Sequence, residues 1–515
     1  MKRDKHSPQT SEKQGHQKEN LYAMRKRFEP QRRLGSTPIS EVEIPEKSRD
    51  ELAPILRALQ YIFVTEELQE EVFRVLEAKV KGGKKETGRN GMELWQIMVI
   101  GVVRLGLDAD YDRLEDMVNH HSLIRQIMGV DTVFGRGKKY SLQSIRDNVR
   151  LLDEETLGKI NDVVVKAGQR LAKNGREEKL RIKTDTYVVE ANVHFPTDMN
   201  LLWDAGRKCL DGIEAFIEGG VLNGKGWRKI KNWRKELKRL MRSSSKAASG
   251  GGNKKEEAVK KQVKEYLGLA KRLSGKIGAS IIAVYEKILT TGAEEMQKEA
   301  LESMEYFYQM LEKHRDLVER RIIKEEQIPV GEKVYSLFEP HTEWLSKGKA
   351  NKRVELGHNL VIASDQWGFI GYYQVVEKEA DVALILPLAD KLLNLFGEEG
   401  IESISADKGF YKKEYKELIS LYIPKVILPK KGKRNKAETE EESESTFKKL
   451  RHKHSAVESD INRLEHHGLD RCLDKGIEGF KRYCALGVLA ANLHTMGSIL
   501  QKKVLEKKEI VRKAA

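Results

Sequence analysis

The spacing of apolar positions changes period along the chain. From about residue 48 to 175 it is helical: Leu52, Ile55, Leu56, Leu59 and Ile62 recur at three- and four-residue steps and share one face. Glu93–Leu107 is more uniformly apolar and predicts a buried helix. Tyr111–Gly129 predicts two short helices around the polar turn Asn119-His120-His121. That form suits a helix-turn-helix and, equally, an ordinary helical hairpin. At Leu180–Val193 the pattern turns rich in β-branched residues and predicts a strand. Residues 200–325 return to helical spacing. The Ser/Gly-rich stretch Ser243–Asn253 interrupts them, which predicts a long helical hairpin with a flexible tip. Within it Trp227, Ile230, Trp233, Leu237 and Leu240 fall roughly on one face.

Strand signals cluster next. Lys333–Phe338 is one. Val354–Ala363 and Trp367–Val376, divided by Ser364-Asp365-Gln366, predict an antiparallel hairpin. Ala380–Phe396 is read as helical after Pro387, Ile401–Ala406 as a strand ending at Asp407, Tyr411–Leu421 as a helix and Tyr422–Leu428 as a strand. A charged linker is expected over Lys430–Ser445 and helix over Phe447–Lys507. With the 201–328 helical segment set aside, this order gives a mixed sheet flanked by helices, an α/β architecture.

A length of 515 residues implies two to four domains. No run approaches the roughly 18–20 apolar residues of a membrane span, and the best, Leu94–Val103, contains Gln96 and stops at Arg104. The N-terminal MKRDKHSPQTSEKQ has no apolar core, so no signal peptide is expected, and the cytosol is the default compartment. Cys209, Cys472 and Cys484 are too widely spaced for a disulfide framework or a zinc site.

The formal charge is +15, unevenly placed. Residues 1–35 hold ten Lys/Arg and four acids, and read as a disordered basic tail. Residues 225–246 hold ten Lys/Arg and one acid, Glu236. Such a block repels itself unless a polyanion answers it, and nucleic acid is the commonest one. Lys225, Arg228, Lys229, Lys231, Arg234, Lys238 and Arg239 are therefore candidate phosphate contacts.

Chemistry must come from acids at the ends of these elements. Asp185 lies in the first strand, and Asp407 closes a later one. In His454–Leu469 the apolar stripe Val457, Ile461, Leu464 is bordered by Glu458, with Glu465 seven residues on. Three converging acids can hold two divalent cations roughly 3.5–4 Å apart for phosphodiester chemistry. Hard oxygen donors suit Mg²⁺ or Mn²⁺. Spacing alone does not single out three acids among 79. Asp407 equally suits a turn opening before Gly409, and Glu458 a pairing with Lys453 or His454.

The segments KTDTYVVEANVHFPTDMNLLWDA (183–205), SLFEPHTEWLSKGK (336–349), ADKGFY (406–411) and HSAVESDINRLEHHGLDRC (454–472), with LWQIMVIGVVRLGLDADYDRLEDMVNHHSLIRQIMG (94–129) ahead of them, resemble bacterial insertion-sequence transposases of the DDE class, most closely the ISNCY-like group. The resemblance spans about 90–500. It implies a ribonuclease-H-like mixed-sheet catalytic core with a large helical insertion, preceded by an all-helical N-terminal DNA-binding region. Asp185 matches the first acid of the set, Asp407 the second, and Glu458 best matches the third, with Glu465 in reserve. Two Mg²⁺ or Mn²⁺ ions, insertion-sequence ends and target DNA, and a homodimer or larger assembly on DNA are implied with it. The expected organisation is a tail at 1–40, the N-terminal region at 41–175, the core at 176–200 and 329–485, the insertion at 201–328 and a C-terminal helix and tail at 486–515.

The chain departs from better-known relatives near the glutamate. Where they carry a tyrosine, an arginine and a lysine, it has Arg451, His454 and Glu465, which leaves Arg451, Lys453 or Arg463 to take up phosphate contacts. The long spacing, 222 residues, lies between Asp185 and Asp407, and only 51 separate Asp407 from Glu458. A DNA-binding remnant without activity and a plain nuclease without strand joining are the alternative readings.

Overall fold

A computed structural model of the chain describes residues 25–28, 37–80, 91–130, 138–249, 255–291, 295–346 and 353–514. It divides into two compact units, residues 1–192 with 345–515, and residues 193–344.

The first unit begins with helices α1 (Leu52–Val64), α2 (Glu66–Val80), α3 (Leu94–Gly106), α4 (Tyr111–His120), α5 (Ser122–Ile127), α6 (Leu142–Val149) and α7 (Glu154–Lys173). The stripe Leu52, Ile55, Leu56, Leu59 and Ile62 is buried, and α3 is buried on every side. His121 ends α4 and caps α5, its ring accepting the Ile124 amide at 3.4 Å. Most of the 1–40 tail lies outside the described residues. The described part is held: Arg27 meets Glu77 at 2.8 Å and Glu70 at 2.5 Å, and Phe28 packs edge-on against Phe63. An arginine fork finding two carboxylates beside an aromatic anchor overrides the polar composition there.

Strand β1 (Leu180–Ala191) follows, and the second unit is inserted after it. That unit holds α8 (Asp198–Glu218), α9 (Ile230–Ser249), α10 (Lys255–Thr291) and α11 (Glu295–Val318). The expected single hairpin is thus a four-helix assembly, because Gly219-Gly220, with Gly220 at φ +71°, ends α8. Its core includes Leu202, Leu210, Ile213, Leu237, Tyr266, Leu273 and Leu311. Trp227, Ile230, Leu237 and Leu240 join that core and Trp233 packs against it, as the spacing predicts. The tip residues 250–254 lie outside the described residues. Lys333–Phe338 is not a strand. Ser336 Oγ accepts the amides of Phe338 and Glu339, and the Leu337 carbonyl is taken by Tyr306 Oη at 3.1 Å, so local bonds replace a ladder.

The first unit resumes with β2 (Glu355–Ser364), β3 (Ile370–Val376), α12 (Asp381–Phe396), β4 (Ile401–Ala406), α13 (Lys413–Ser420), β5 (Lys425–Ile427), α14 (Lys436–Ser443), α15 (Ser445–His454), α16 (Val457–Leu464), the two-residue β6 (Arg471–Cys472) and α17 (Ile477–Ala514). Pro387 sits inside α12 rather than ahead of it. Burial of Leu384, Ile385, Leu388, Ala389 and Leu392 offsets the missing backbone bond. The charged linker contains a helix, α14, nucleated by a capping box between Asn435 and Glu438. The C-terminal helical stretch is broken after α16, where Gly468 takes φ +80°.

β1 lies between β2 and β4, β5 lies beyond β4, β3 also pairs with β2, and β6 lies beside the end of β1. β1–β2 and β2–β3 pair antiparallel, and β1–β4 and β4–β5 pair parallel. This mixed sheet with helices on its faces is consistent with the ribonuclease-H-like expectation. One face, with Leu180, Ile182, Ile404 and Ala406, packs on α12. On the other, α15 packs on β4 and α16 on β1.

Helix α17 backs the unit against α1, α3 and α7. By length and composition Ile477–Lys513 would cross a bilayer, against the expectation that no stretch would, but its apolar window is 72% buried inside the fold, as in a core helix. Asn492 on α17 donates to Asn161 of α7 at 2.7 Å and accepts the Ile370 amide at 2.8 Å, fixing β3 to both helices. At Gly497 α17 crosses α1 so closely that an added Cβ would overlap the Pro54 carbonyl oxygen. Gly497→Ala is therefore expected to lower stability by about 1–3 kcal/mol, read as a lower midpoint in urea. An unchanged midpoint would mean the crossing relaxes freely. Cys209, Cys472 and Cys484 are free and buried.

Candidate active site

The site follows from strand register. β1 and β4 run parallel with Thr184 opposite Ala406, so Asp185 and Asp407 are the next residues on adjacent strands. Neighbouring strands lie about 4.8 Å apart. Thr184 and Ala406 face the α12 side, and alternation turns Asp185 to the face of α15 and α16. Asp185 Oδ1 accepts the Thr186 amide at 2.7 Å. Asp407 is exposed and opens the 3₁₀ turn Lys408–Phe410.

Glu458 sits in the first turn of α16 with its side chain exposed. Beside the strand that precedes Asp407 lies His454, the last residue of α15. The imidazole lies 3.3 Å from Ser405 Oγ, and Ser405 pairs with Lys183 across β4 and β1. Burial pushes the His454 pKa down, while the charges of Asp185, Asp407 and Glu458 all pull it up. One ring therefore feels all three carboxylates. Glu465 acts instead on Tyr187, two residues past Asp185 on β1. Among the described residues no group of three or more His, Cys, Asp or Glu side chains is set closely enough to hold a metal ion. Asp185 and Asp407 are brought side by side, and Glu458 is near them without closing a ligand set. The donor chemistry, carboxylate oxygens alone, suits a hard divalent cation.

Sequence reasoning missed the network that holds α16 to the sheet. Asp460 is buried and meets Lys183 of β1 at 3.0 Å, Ser364 of β2 at 2.5 Å and Arg463 at 3.2 Å. Arg463 also donates to the Gly368 carbonyl at 2.5 Å in the β2–β3 turn. It is thus engaged inside the fold rather than left for phosphate. In that turn the fully buried Asp365 accepts the amides of Trp367 and Phe369 and a bond from Gln169, and burial pushes its pKa up to about 6. The signal for Asp460 was its spacing: Val457, Asp460 and Leu464 are the buried residues of α16, an i, i+3, i+7 stripe, while Ile461 is only partly covered. An acid on an apolar stripe reads as an exception unless its partner is known.

Of the candidate DNA contacts, Lys225, Arg228, Lys229, Lys231, Lys238 and Arg239 are exposed. Arg234 is partly buried and tied to Asp211 at 2.8 Å and Glu214 at 2.6 Å, so it braces α9 on α8. Arg239 pairs with Glu236 at 2.6 Å, an exposed pair that competes weakly with phosphate. Arg451 and Lys453 are exposed on α15, with Arg451 3.9 Å from Glu442.

Residues 327–493 match the family model described as the transposase DDE domain, about a third of the chain. The match covers Asp407, Glu458 and Glu465 and excludes Asp185. Comparison with curated proteins and with solved structures gave no match.

Proposed function

We propose that this chain is a DDE transposase of the ISNCY-like group, one that cuts the ends of an insertion sequence and joins them to target DNA. The observation that supports the reading is the parallel register that sets Asp185 beside Asp407 on the other face of the sheet from α12, with Asp407 and Glu458 inside the segment matched to a transposase DDE domain. Asp185 and Asp407, side by side, and Glu458 from α16 would hold two Mg²⁺ or Mn²⁺ ions. When bound, such ions activate an attacking oxygen and stabilise a leaving one. The DNA 3′-hydroxyl released by cleavage then attacks the target strand, so no protein nucleophile is required.

The exposed cations of 225–246, with Arg451 and Lys453, hold phosphates. The N-terminal helices 41–175 read the terminal repeats, and joining two ends calls for a dimer or larger assembly. The expected compartment is the bacterial cytoplasm.

The test is strand transfer into a target plasmid in Mg²⁺ or Mn²⁺. Joined products support the reading. Cleavage without joining makes the protein a nuclease, and DNA binding without either makes it a remnant. Changing Lys229, Lys231 and Lys238 to Glu is expected to weaken DNA binding across all sequences. It should also reduce the slope of log affinity against log salt by about one unit per lost contact. An unchanged slope removes this block from the interface.

A further inference from the structure

The 193–344 unit encloses a cavity that phosphoryl transfer does not use. Its volume is about 690 Å³, within the usual range for ligand pockets. One wall is aromatic: Trp344 meets Phe195 at 5.6 Å between ring centroids and Tyr335 at 5.5 Å. Phe195 is 58% and Trp344 39% exposed, so both present ring surface to an incoming molecule. Opposite in chemistry is His314 of α11. It is 1% exposed, and neither ring nitrogen has a hydrogen-bond partner among the described residues. Burial pushes its pKa down to about 4, so at neutral pH the ring offers one donor and one acceptor. A buried polar ring with both nitrogens unpaired is destabilising unless something else pairs with it.

Charge completes the picture. Lys333 lines the cavity and is exposed, and Arg321 lines it while paired with Asp198 at 2.6 Å. Ala248 lines it too, at the end of the cationic helix α9, whose last turns carry the exposed Arg242 and Lys246. Aromatic faces for stacking, a two-sided hydrogen-bonding group in the interior and cations at the lining are what a base with an attached phosphate requires.

We propose that this cavity binds a nucleobase, stacked on Trp344 and Phe195, hydrogen-bonded to His314 and with its phosphate at Lys333. The chemistry is shared by two sources, a nucleotide unstacked from DNA and a free nucleotide. The inference does not need the metal-site assignment.

The test uses the full chain and two probes. Free dAMP is titrated against tryptophan fluorescence, and a duplex with one bulged 2-aminopurine is compared with its fully paired counterpart. Saturable quenching by dAMP assigns a free nucleotide, and a change in 2-aminopurine emission absent from the paired duplex assigns an unstacked base. Either supports the site. Trp344→Ala and His314→Phe are each expected to weaken binding by roughly tenfold or more. His314→Phe should leave the melting temperature equal or higher, because it removes an unpaired buried polar group, and this separates lost binding from lost folding. The Asp185→Asn protein should bind the probes as the parent does, so failure of the strand-transfer reading is read separately. No saturable signal from either probe, or unchanged affinity in both cavity variants, overturns the proposal.

Discussion

Asp185→Asn or Asp407→Asn is expected to lower DNA end cleavage by about a thousandfold or more, with strand transfer falling in step. A metal-assisted site supplies several kcal/mol of charge stabilisation, and each 1.4 kcal/mol is tenfold in rate. Asparagine keeps the shape and removes the charge; Asp185 lies on the face of β1 turned away from the apolar core under α12, and Asp407 just past the end of β4. Circular dichroism and the urea midpoint should therefore stay near the parent's. Glu458→Gln should give a loss of the same order, and Glu465→Gln a small one, since Glu465 lies past the end of α16, seven residues beyond Glu458. The reverse pattern in the two glutamates would move the third carboxylate to position 465. Cleavage surviving both aspartate changes would remove the assignment altogether.

The second large effect is on stability as well as activity. Asp460→Ala strips the shared partner from Lys183, Ser364 and Arg463, and two of those are cations with side chains 12% and 24% exposed. Breaking a buried pair from one side typically costs about 3–5 kcal/mol, because the remaining charge is uncompensated. Since Asp460 is two residues from Glu458 on the same short helix, the residual folded protein should also cleave more slowly. The double change Lys183→Met with Asp460→Leu is the informative control. It should recover part of the stability, because no lysine is left unpaired, while failing to restore full activity. Recovery of both would mean the network serves packing alone.

The sheet was legible because its signals are local. The β-branched run of β1, the Ser364–Gln366 turn and the Asp407 strand end each announce themselves within a few residues. Asp185 could be placed within the β-branched run of β1 and Asp407 just past a strand end, though their adjacency depends on a parallel register formed across 222 residues, and periodicity carries no such information. Where local cues competed, reading failed. The charge of 430–445 hid the Asn435–Glu438 box that starts α14. The strand-like 333–338 lost to serine-capped turns. His454 and Asp460 were invisible as site residues because their meaning is tertiary: one is defined by three acids from separate elements, the other by partners on β1 and β2.

Carboxylates at 185, 407 and 458 are expected to be the ligands of hard cations. Crystals of the protein soaked in Mn²⁺ and measured at the manganese edge test it most directly. Anomalous peaks are expected bounded by the side chains of Asp185 and Asp407, with Glu458 reaching the same ions. Manganese bound elsewhere, or none near these two aspartates at concentrations that support catalysis, would contradict it.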